Sequence, residues 1–245
     1  QYGPRFSRNG KHLFFGTSYF EDEPPEDTLL DSEKATLDIW SYKDDRIQPR
    51  QLDQLRSDER RTFLARYDID NGNVVQLEDS SLFQVRILDH GNATKALGVD
   101  RKPYQKYMSY AFPWGTDYYS VNTITGERNL LKDSLTHNVT VSPTGKYLAY
   151  YSAKDTNWYV IKTASGKESC LTCTVDEDFA SDNNGSPYLA FGKGTEGWLP
   201  DNRLIVKARR DLWVVDPTFE RTPYCMTHHI GEKRDIRFNL RHFDS

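Results

Sequence analysis

Residues 138–172 hold four short strand-like segments joined by tight turns, and this pattern limits the possible fold more than any other part of the chain. Apolar and aromatic residues mark the expected strands, which cover residues 139–141, 146–152, 158–162 and 168–172. Glycines at Gly145 and Gly166 mark two of the turns. Consecutive short strands of this kind predict an up-and-down antiparallel sheet, which is the form of one β-propeller blade.

The same turn and strand also occur near the start of the chain. Residues 6–13 match residues 141–148: an apolar residue and a serine are followed by two turn residues, a glycine, a lysine and a strand. Gly10 and Gly145 fit the left-handed position of a tight turn. Since the two copies lie far apart, we expect other units between them.

Closing turns recur along the chain at intervals of roughly 40–50 residues, a period typical of propellers. We predict an all-β protein, a β-propeller of about four blades with four antiparallel strands each, which is part of a larger ring. The predicted units are residues 3–80, 81–135, 136–180 and 185–235, with the start of a further blade at 236–245. A β-sandwich with similar hairpins is the alternative, and the constant order of the turn motifs favours the propeller.

A single helix is predicted over residues 45–61, as an insertion between two strands of the first unit. Asp45 is placed to cap it, Pro49 lies early in it, and Leu52 and Leu55 share one face. Other expected strands cover residues 36–42, 82–88, 95–99, 107–112, 117–122, 128–131, 187–191, 203–207, 211–215 and 236–238. The acidic residues 21–31 and 176–182 are interpreted as solvated loops.

Composition excludes several functional classes. The net charge is only −4, so no strong basic field attracts nucleic acid. No apolar run approaches the roughly 18 residues of a membrane span. The chain begins with Gln1, so either a leader has been removed or this is a piece of a longer protein.

The cysteines raise the question of a metal site. Cys170, Cys173, Cys225 and His228 have spacings found in zinc sites. Because residues 168–172 read as a strand, whose alternate residues face opposite sides, we expect no zinc and no other cofactor. A Cys170–Cys173 disulfide is the alternative, and it would be strained in a strand.

The remaining candidates have plain structural interpretations. His228 and His229 are read as a surface pair, and Arg209-Arg210 as a hairpin tip, although the two arginines could also bind a carboxylate. Four tryptophans are expected in the core between blades: Trp114, Trp158, Trp198 and Trp213. Glycosylation patterns occur at Asn92, Asn138 and Asn184.

Two motifs resemble a known family. The pattern S-x-x-G-K-x-L-x-[FY], at residues 7–15 and 142–150, resembles the repeat of TolB-like and prolyl oligopeptidase-type propellers. Residues 37–52 resemble a segment that introduces a helix in secreted bacterial peptidases of the prolyl oligopeptidase family. The matching residues are Trp40, Tyr42, Lys43, Asp44, Gln48, Pro49 and Gln51. Residues 176–193 also resemble such proteins.

This resemblance implies a propeller that precedes an α/β-hydrolase domain carrying serine, aspartate and histidine. The nucleophile motif G-x-S-x-G is missing from this chain, and residues 16–20 are the nearest string. Any peptidase activity would therefore belong to a segment outside it. The paired glutamates with which dipeptidyl peptidases hold a substrate amino terminus have no counterpart in this sequence, so that role is not transferred.

We therefore expect no catalytic residue here and a gating role. The chain would be the non-catalytic propeller segment of a secreted or periplasmic serine peptidase, and it would control the access of peptides to the hydrolase domain. Its partners would be that domain and a peptide substrate. The alternative is a stand-alone TolB-like propeller that binds proteins or peptides on one face.

Overall fold

A computed structural model describes most of the chain. The described residues are 2–19, 28, 30, 33–34, 37–108, 110–136, 138–182 and 185–240. The acidic stretch 21–31 and the glycosylation pattern at Asn184 lie largely outside them.

The fold consists of four antiparallel sheets, each built from four consecutive strands, as in propeller blades. The first blade contains β1 (Arg5–Phe6), β2 (His12–Thr17), β3 (Phe63–Asp68) and β4 (Val74–Gln76). The second contains β5 (Val85–Ile87), β6 (Lys95–Asp100), β7 (Asp117–Asn122) and β8 (Arg128–Lys132). The third contains β9 (Val139–Val141), β10 (Tyr147–Ser152), β11 (Asn157–Lys162) and β12 (Glu168–Cys170). The fourth contains β13 (Thr195–Trp198), β14 (Leu204–Lys207), β15 (Leu212–Val215) and β16 (Tyr224–Cys225). The predicted fold class is confirmed.

Residues 138–172 form the third blade as the sequence predicted. Leu148 in β10 lies opposite Val141 on one side and Ile161 on the other. Gly145 has a φ of +72°, the left-handed conformation that the turn requires. The alternating pattern therefore sets the register of this sheet.

Neighbouring blades pack face to face, because the middle strands are apolar on both sides. Phe14 and Leu64 of the first blade pack on Ala96 and Val121 of the second. Leu97 uses the opposite face of the second blade and packs with residues of the third, including Leu148, Tyr150 and Ile161. Ala149, Trp158 and Val160 of the third blade join Leu204 and Val206 of the fourth. The second and third blades thus each contribute to two of these inter-blade cores.

A repeated hydrogen bond closes three of the four blades. In each of them, a side-chain oxygen two residues after the last strand accepts a hydrogen bond from a backbone N–H at the start of the third strand. We call this bond the closing clasp. Thr172 Oγ1 accepts from Trp158 N at 2.9 Å, and Thr227 Oγ1 accepts from Leu212 N at 3.2 Å. In the first blade Glu78 Oε2 takes this role towards Leu64 N at 2.9 Å.

The helical insertion is confirmed, although its start differs from the prediction. Helix α1 covers Gln48–Glu59, and its N-cap is Ile47 without a side-chain hydrogen bond. The cap predicted at Asp45 is wrong, because the helix begins at Gln48 and its N-cap position is Ile47, two residues after Asp45. No residue of α1 is buried, and Leu52 and Leu55 are exposed.

We expect the first blade to form without this insertion. Replacing residues 20–60 by a short Gly/Ser linker should change the free energy of unfolding by less than about 1 kcal/mol, since α1 buries no side chain. Thr17 and Phe63 already lie opposite each other, so a short linker can join β2 to β3. Urea denaturation of both proteins tests this, with Leu52→Asp as a point variant that should also be neutral. A loss above about 3 kcal/mol would show that the insertion supports the blade.

Three of the strands predicted in the connections do not form over their described residues. Residues 37–42 form no strand. Residues 108 and 110–112 follow a 3₁₀ helix at Lys102–Tyr107 and lead into a cis Phe112–Pro113 bond. Residues 187–191 are a loop, and the fourth blade begins at β13 instead. Their aromatic composition suits strands, but none of these segments has a partner strand among the described residues.

The end of the described chain covers the outer face of the fourth blade. Helix α2 spans Ile230–Arg234, and residues 236–240 form no strand. Phe238 and Leu240 pack on Ile205, Leu212 and Val214, which point away from the third blade. The further blade expected after residue 236 stays a prediction.

All the long connections lie at one end of the blades. In an up-and-down sheet, the first and third turns lie at one end, while the middle turn and the link to the next blade lie at the other. The turns at the first end are short, and Thr144 of one bonds Asn202 of another at 2.9 Å. At the second end the strands lead into the long segments, which are residues 18–62, 101–116, 171–194 and 226–240. We call this end the long-connection face.

Candidate functional site

Four aromatic side chains meet on the long-connection face. Phe112 lies at the centre, with ring centroids 5.6 Å from Trp114, 5.2 Å from Tyr188 and 6.0 Å from Phe191. Each of the four is between 36% and 43% exposed. This aromatic cluster joins the middle connection of the second blade to the link between the third and fourth blades.

Both segments of the aromatic cluster are fixed to the blades beneath them. Ser181 N donates to Phe191 O at 2.7 Å, and a Cβ on Gly192 would lie 2.7 Å from Cγ of Tyr151, so only glycine allows this approach. On the other side, Tyr104 covers Gly115 and donates its hydroxyl to Asp117 at 2.5 Å. The cluster therefore rests on ordered contacts with the second and third blades.

A cavity of about 430 Å³ lies at the third blade and includes Leu189, from the segment that carries Tyr188 and Phe191. Glu168 is part of its wall and accepts hydrogen bonds from Tyr150 Oη at 2.6 Å and from Lys132 Nζ at 2.7 Å. The pKa of Tyr150 is raised by burial and by the Glu168 carboxylate, so the tyrosine stays a hydrogen-bond donor. The cavity offers a polar pair beside an exposed apolar surface.

A second cavity, of about 280 Å³, is lined by basic residues of the fourth blade and its neighbours: Lys193, Lys207, Arg209, Arg210 and Arg237. Most of these charges are compensated. Lys207 Nζ lies 2.7 Å from Glu196, Arg210 pairs with Asp235, and Arg237 lies 4.0 Å from Asp182. The interpretation of Arg209-Arg210 as a turn tip fits its place between β14 and β15, and little free positive charge remains there to bind a carboxylate.

The four zinc-ligand candidates of the sequence do not come together. Cys170 and Cys173 form a disulfide, and Cys225 is a buried free thiol. The strand argument against this disulfide was wrong, because β12 ends at Cys170 and Cys173 lies beyond it in a turn. The expectation that the protein binds no metal stays a prediction.

A different set of metal-ligating side chains converges at the end of the fourth blade. Asp211, Cys225 and His229 place one ligand atom each within 4.8 Å of one another. His229 also meets Glu177 and Glu232 within the same distance. Burial raises the pKa of Glu177, and the neighbouring Glu232 carboxylate raises it further. Negative groups are thus crowded around one imidazole.

Spacing in the sequence pointed to His228 rather than His229. The ring of His229 reaches this group because both residues adopt left-handed conformations, with φ of 52° and 58°. Asp211 was not selected either, since it lies 14 residues before Cys225 in the chain. Only the hairpin of β15 and β16 brings these residues together.

The tryptophans differ in their environments. Trp158 is 1% exposed in the core between the third and fourth blades, and Trp198 and Trp213 pack partly buried against the same core. Trp114 is 42% exposed in the aromatic cluster, so its placement in the core was wrong. Among the described residues, no helix is long and apolar enough to cross a membrane.

Comparison with known proteins gives only distant structural likeness. No family model and no curated protein matches the chain. Similar solved structures include putative TolB from Agrobacterium tumefaciens, with 12% identity and a TM-score of 0.40 over 92% of this chain and 61% of that one. Dipeptidyl peptidase 4 from Porphyromonas gingivalis has 11% identity and a TM-score of 0.44 over 91% of this chain and 30% of that one. TolB from Acinetobacter baumannii has 15% identity and a TM-score of 0.39 over 68% of this chain and 38% of that one. The chain spans less than two thirds of each.

Proposed function

We propose that this chain is a non-catalytic propeller segment that binds extended polypeptide on its long-connection face. In the complete protein, which we infer to be secreted or periplasmic, it controls the access of peptides to a serine-type hydrolase domain. The peptidase part of this proposal depends on the sequence motif at residues 37–52, and the binding part depends on the structure.

The observation that carries the binding proposal is the aromatic cluster. Monomeric soluble proteins keep few large aromatic rings together in water, and exposed clusters of this type mark contact surfaces. Tyrosine, tryptophan and phenylalanine are also enriched where polypeptides bind, because they supply large contact areas at a low cost in side-chain entropy. The opposite end of the blades carries only short turns.

The long-connection face also offers polar partners for a peptide backbone. Glu168 and Lys132 lie in the wall of the cavity that includes Leu189. A bound peptide could place an apolar side chain on Phe112 and its backbone amides over this pair. The chemistry required is that of an extended peptide with apolar side chains.

Binding of a defined peptide tests the proposal. A fluorescein-labelled, unstructured 15-residue peptide rich in proline and apolar residues is titrated with the protein, and its anisotropy is measured. Phe112→Ala and Tyr188→Ala should each weaken binding at least about tenfold, the loss expected when a central aromatic contact is removed.

The control is Ile124→Ala, since Ile124 is also an exposed large hydrophobic residue but lies in the turn between β7 and β8 at the opposite end. It should bind the peptide as the native protein does. Equal losses in all three variants, or no binding by the native protein, would contradict the binding proposal.

The complete gene tests the peptidase part separately. A downstream G-x-S-x-G followed by aspartate and histidine supports a hydrolase domain. A complete protein without such a segment would contradict the gating role and favour a stand-alone binding propeller.

A further inference from the structure

We propose that Asp211, Cys225 and His229 form a zinc-binding site at the end of the fourth blade. This inference goes beyond the proposed peptide binding and departs from the metal-free protein that the sequence predicted. It rests on the convergence of sulfur, nitrogen and oxygen ligand atoms within 4.8 Å of one another.

The fold assembles the three side chains from one hairpin. Asp211 lies in the turn before β15, Cys225 ends the paired strand β16, and His229 follows four residues later at the N-cap of α2. Trp213 in β15 lies opposite Cys225, which fixes the sulfur relative to the strand that Asp211 precedes. Strand pairing therefore fixes Cys225, while Asp211 and His229 lie in the segments that flank the paired strands.

Cys225 is well suited to bind a soft metal. It is 8% exposed, and its sulfur accepts the N–H of His229 at 3.2 Å. This bond joins the two candidate ligands directly. A buried thiol beside an imidazole and a carboxylate is the mixed ligand set that Zn²⁺ accepts in proteins.

His229 is oriented by its neighbours. Its ring lies edge-on to Trp213, with centroids 5.6 Å apart. Glu177 Oε1 lies 3.7 Å from its Nδ1. Carboxylates beside a metal-bound histidine commonly set its tautomer and strengthen the bond to the metal.

Asp211 is held rigidly and retains capacity for a metal. Its Oδ1 accepts from Thr227 Oγ1 at 2.5 Å and Gly231 N at 2.9 Å, and its Oδ2 accepts from Glu232 N at 3.0 Å. An ionised carboxylate has about four acceptor positions, so one remains. Three protein ligands would leave the fourth zinc position to water, an arrangement seen in zinc sites.

The charges near the site also favour a cation. Asp211, Glu177 and Glu232 surround a single histidine. Across the described part of the chain, no lysine or arginine forms a salt bridge with any of these three carboxylates. A divalent ion would supply the missing positive charge.

Comparison with the third blade explains why the thiol is available. Cys170 lies opposite Tyr159 as Cys225 lies opposite Trp213, and each cysteine is followed two residues later by the threonine of the closing clasp. In the third blade the residue after this threonine is Cys173, which forms a disulfide with Cys170. The fourth blade has His228 at that position, so Cys225 stays free.

The same three residue types could form a thiol-dependent catalytic triad, but the geometry does not favour one. Such a triad needs hydrogen bonds from the imidazole to both the thiol and the carboxylate. In the described residues, the ring of His229 makes no hydrogen bond with Cys225 or Asp211, and it contacts Glu177 and Trp213 instead.

The test is titration of the full chain with Zn²⁺ by calorimetry and with Co²⁺ by absorption spectroscopy, without reducing agents so that the disulfide stays closed. We expect one ion per chain and a cobalt–thiolate absorption band. Cys225→Ser should abolish the band, and both Cys225→Ser and His229→Ala should weaken zinc binding at least about tenfold.

Two controls separate this site from its neighbours. His228→Ala removes the adjacent histidine and should bind zinc as the native protein does. The double variant Cys170→Ser/Cys173→Ser should also retain binding. Absence of binding by the native chain, retention of the band in Cys225→Ser, or loss of binding only in the Cys170 and Cys173 variant would each overturn the proposal. Circular dichroism confirms that each variant is folded.

Discussion

Replacement of Trp158 by alanine is expected to reduce the free energy of unfolding by about 3–5 kcal/mol, the range for deleting a large buried aromatic side chain. Trp158 is 1% exposed and packs in the core shared by the third and fourth blades. Its loss would leave a cavity between two sheets whose backbones are held by their own hydrogen bonds and cannot easily close it. Urea denaturation followed by circular dichroism gives the difference.

Trp114→Ala is the matched control, because it deletes the same side chain from the exposed aromatic cluster. Its effect should be below about 1 kcal/mol. Similar losses in the two variants would mean that the inter-blade core does not govern stability. Trp158→Phe, which keeps most of the buried volume, should fall between the native protein and Trp158→Ala.

Glu78→Ala is expected to cost about 3–5 kcal/mol as well, through unpaired donors rather than lost volume. Glu78 is fully buried, and its carboxylate accepts from Leu64 N at 2.9 Å, Val85 N at 2.6 Å and Tyr2 Oη at 2.8 Å. One side chain thus joins the chain start, the first blade and the second blade. Truncation would leave all three donors without this acceptor.

The same carboxylate predicts a pH dependence. Burial raises the pKa of Glu78 above its usual value, and the hydrogen bonds it accepts oppose this only in part. Between the unfolded pKa of about 4.3 and the higher folded pKa, the folded protein therefore binds more protons than the unfolded chain. The contribution of Glu78 to the free energy of unfolding is fully present below the unfolded pKa and declines as pH rises through the folded pKa.

Urea denaturation of the native protein and of Glu78→Gln at several pH values between about 4 and 7 measures this effect. The range starts near the ordinary glutamate pKa of about 4.3 and extends above it. The stability of the native protein relative to Glu78→Gln should fall with rising pH across that window. Glu220→Ala, which changes an exposed loop carboxylate, serves as the control and should be neutral at each pH. A difference between native and Glu78→Gln that does not vary with pH would contradict the raised pKa.

The blades could be predicted because their signal is local. In residues 138–172, the alternation of apolar residues and the glycine turns lie within one unit, and the register follows from them. The aromatic segments 107–112 and 187–191 have the composition of strands, yet a strand also needs a partner with free backbone groups. That requirement depends on the whole fold and cannot be read from the segment.

The candidate sites could not be predicted, because their residues meet only in three dimensions. Phe112 lies in the middle connection of the second blade and Tyr188 in the link between the third and fourth blades, and nothing in either segment indicates the other. Asp211 and His229 converge because β15 and β16 pair between them. The spacing of the cysteines can be read from the sequence. It does not show whether Cys173 lies in the strand of Cys170 or in a turn after that strand.

The closing clasp defines natural borders for protein engineering. The acceptor is threonine in two blades and glutamate in another, so the position tolerates different side chains provided that an oxygen reaches the same N–H. Each clasp completes its sheet just before the link to the next blade. Cuts placed directly after these residues would let a whole blade be exchanged or duplicated as a cassette, and the strands inside it would keep their register.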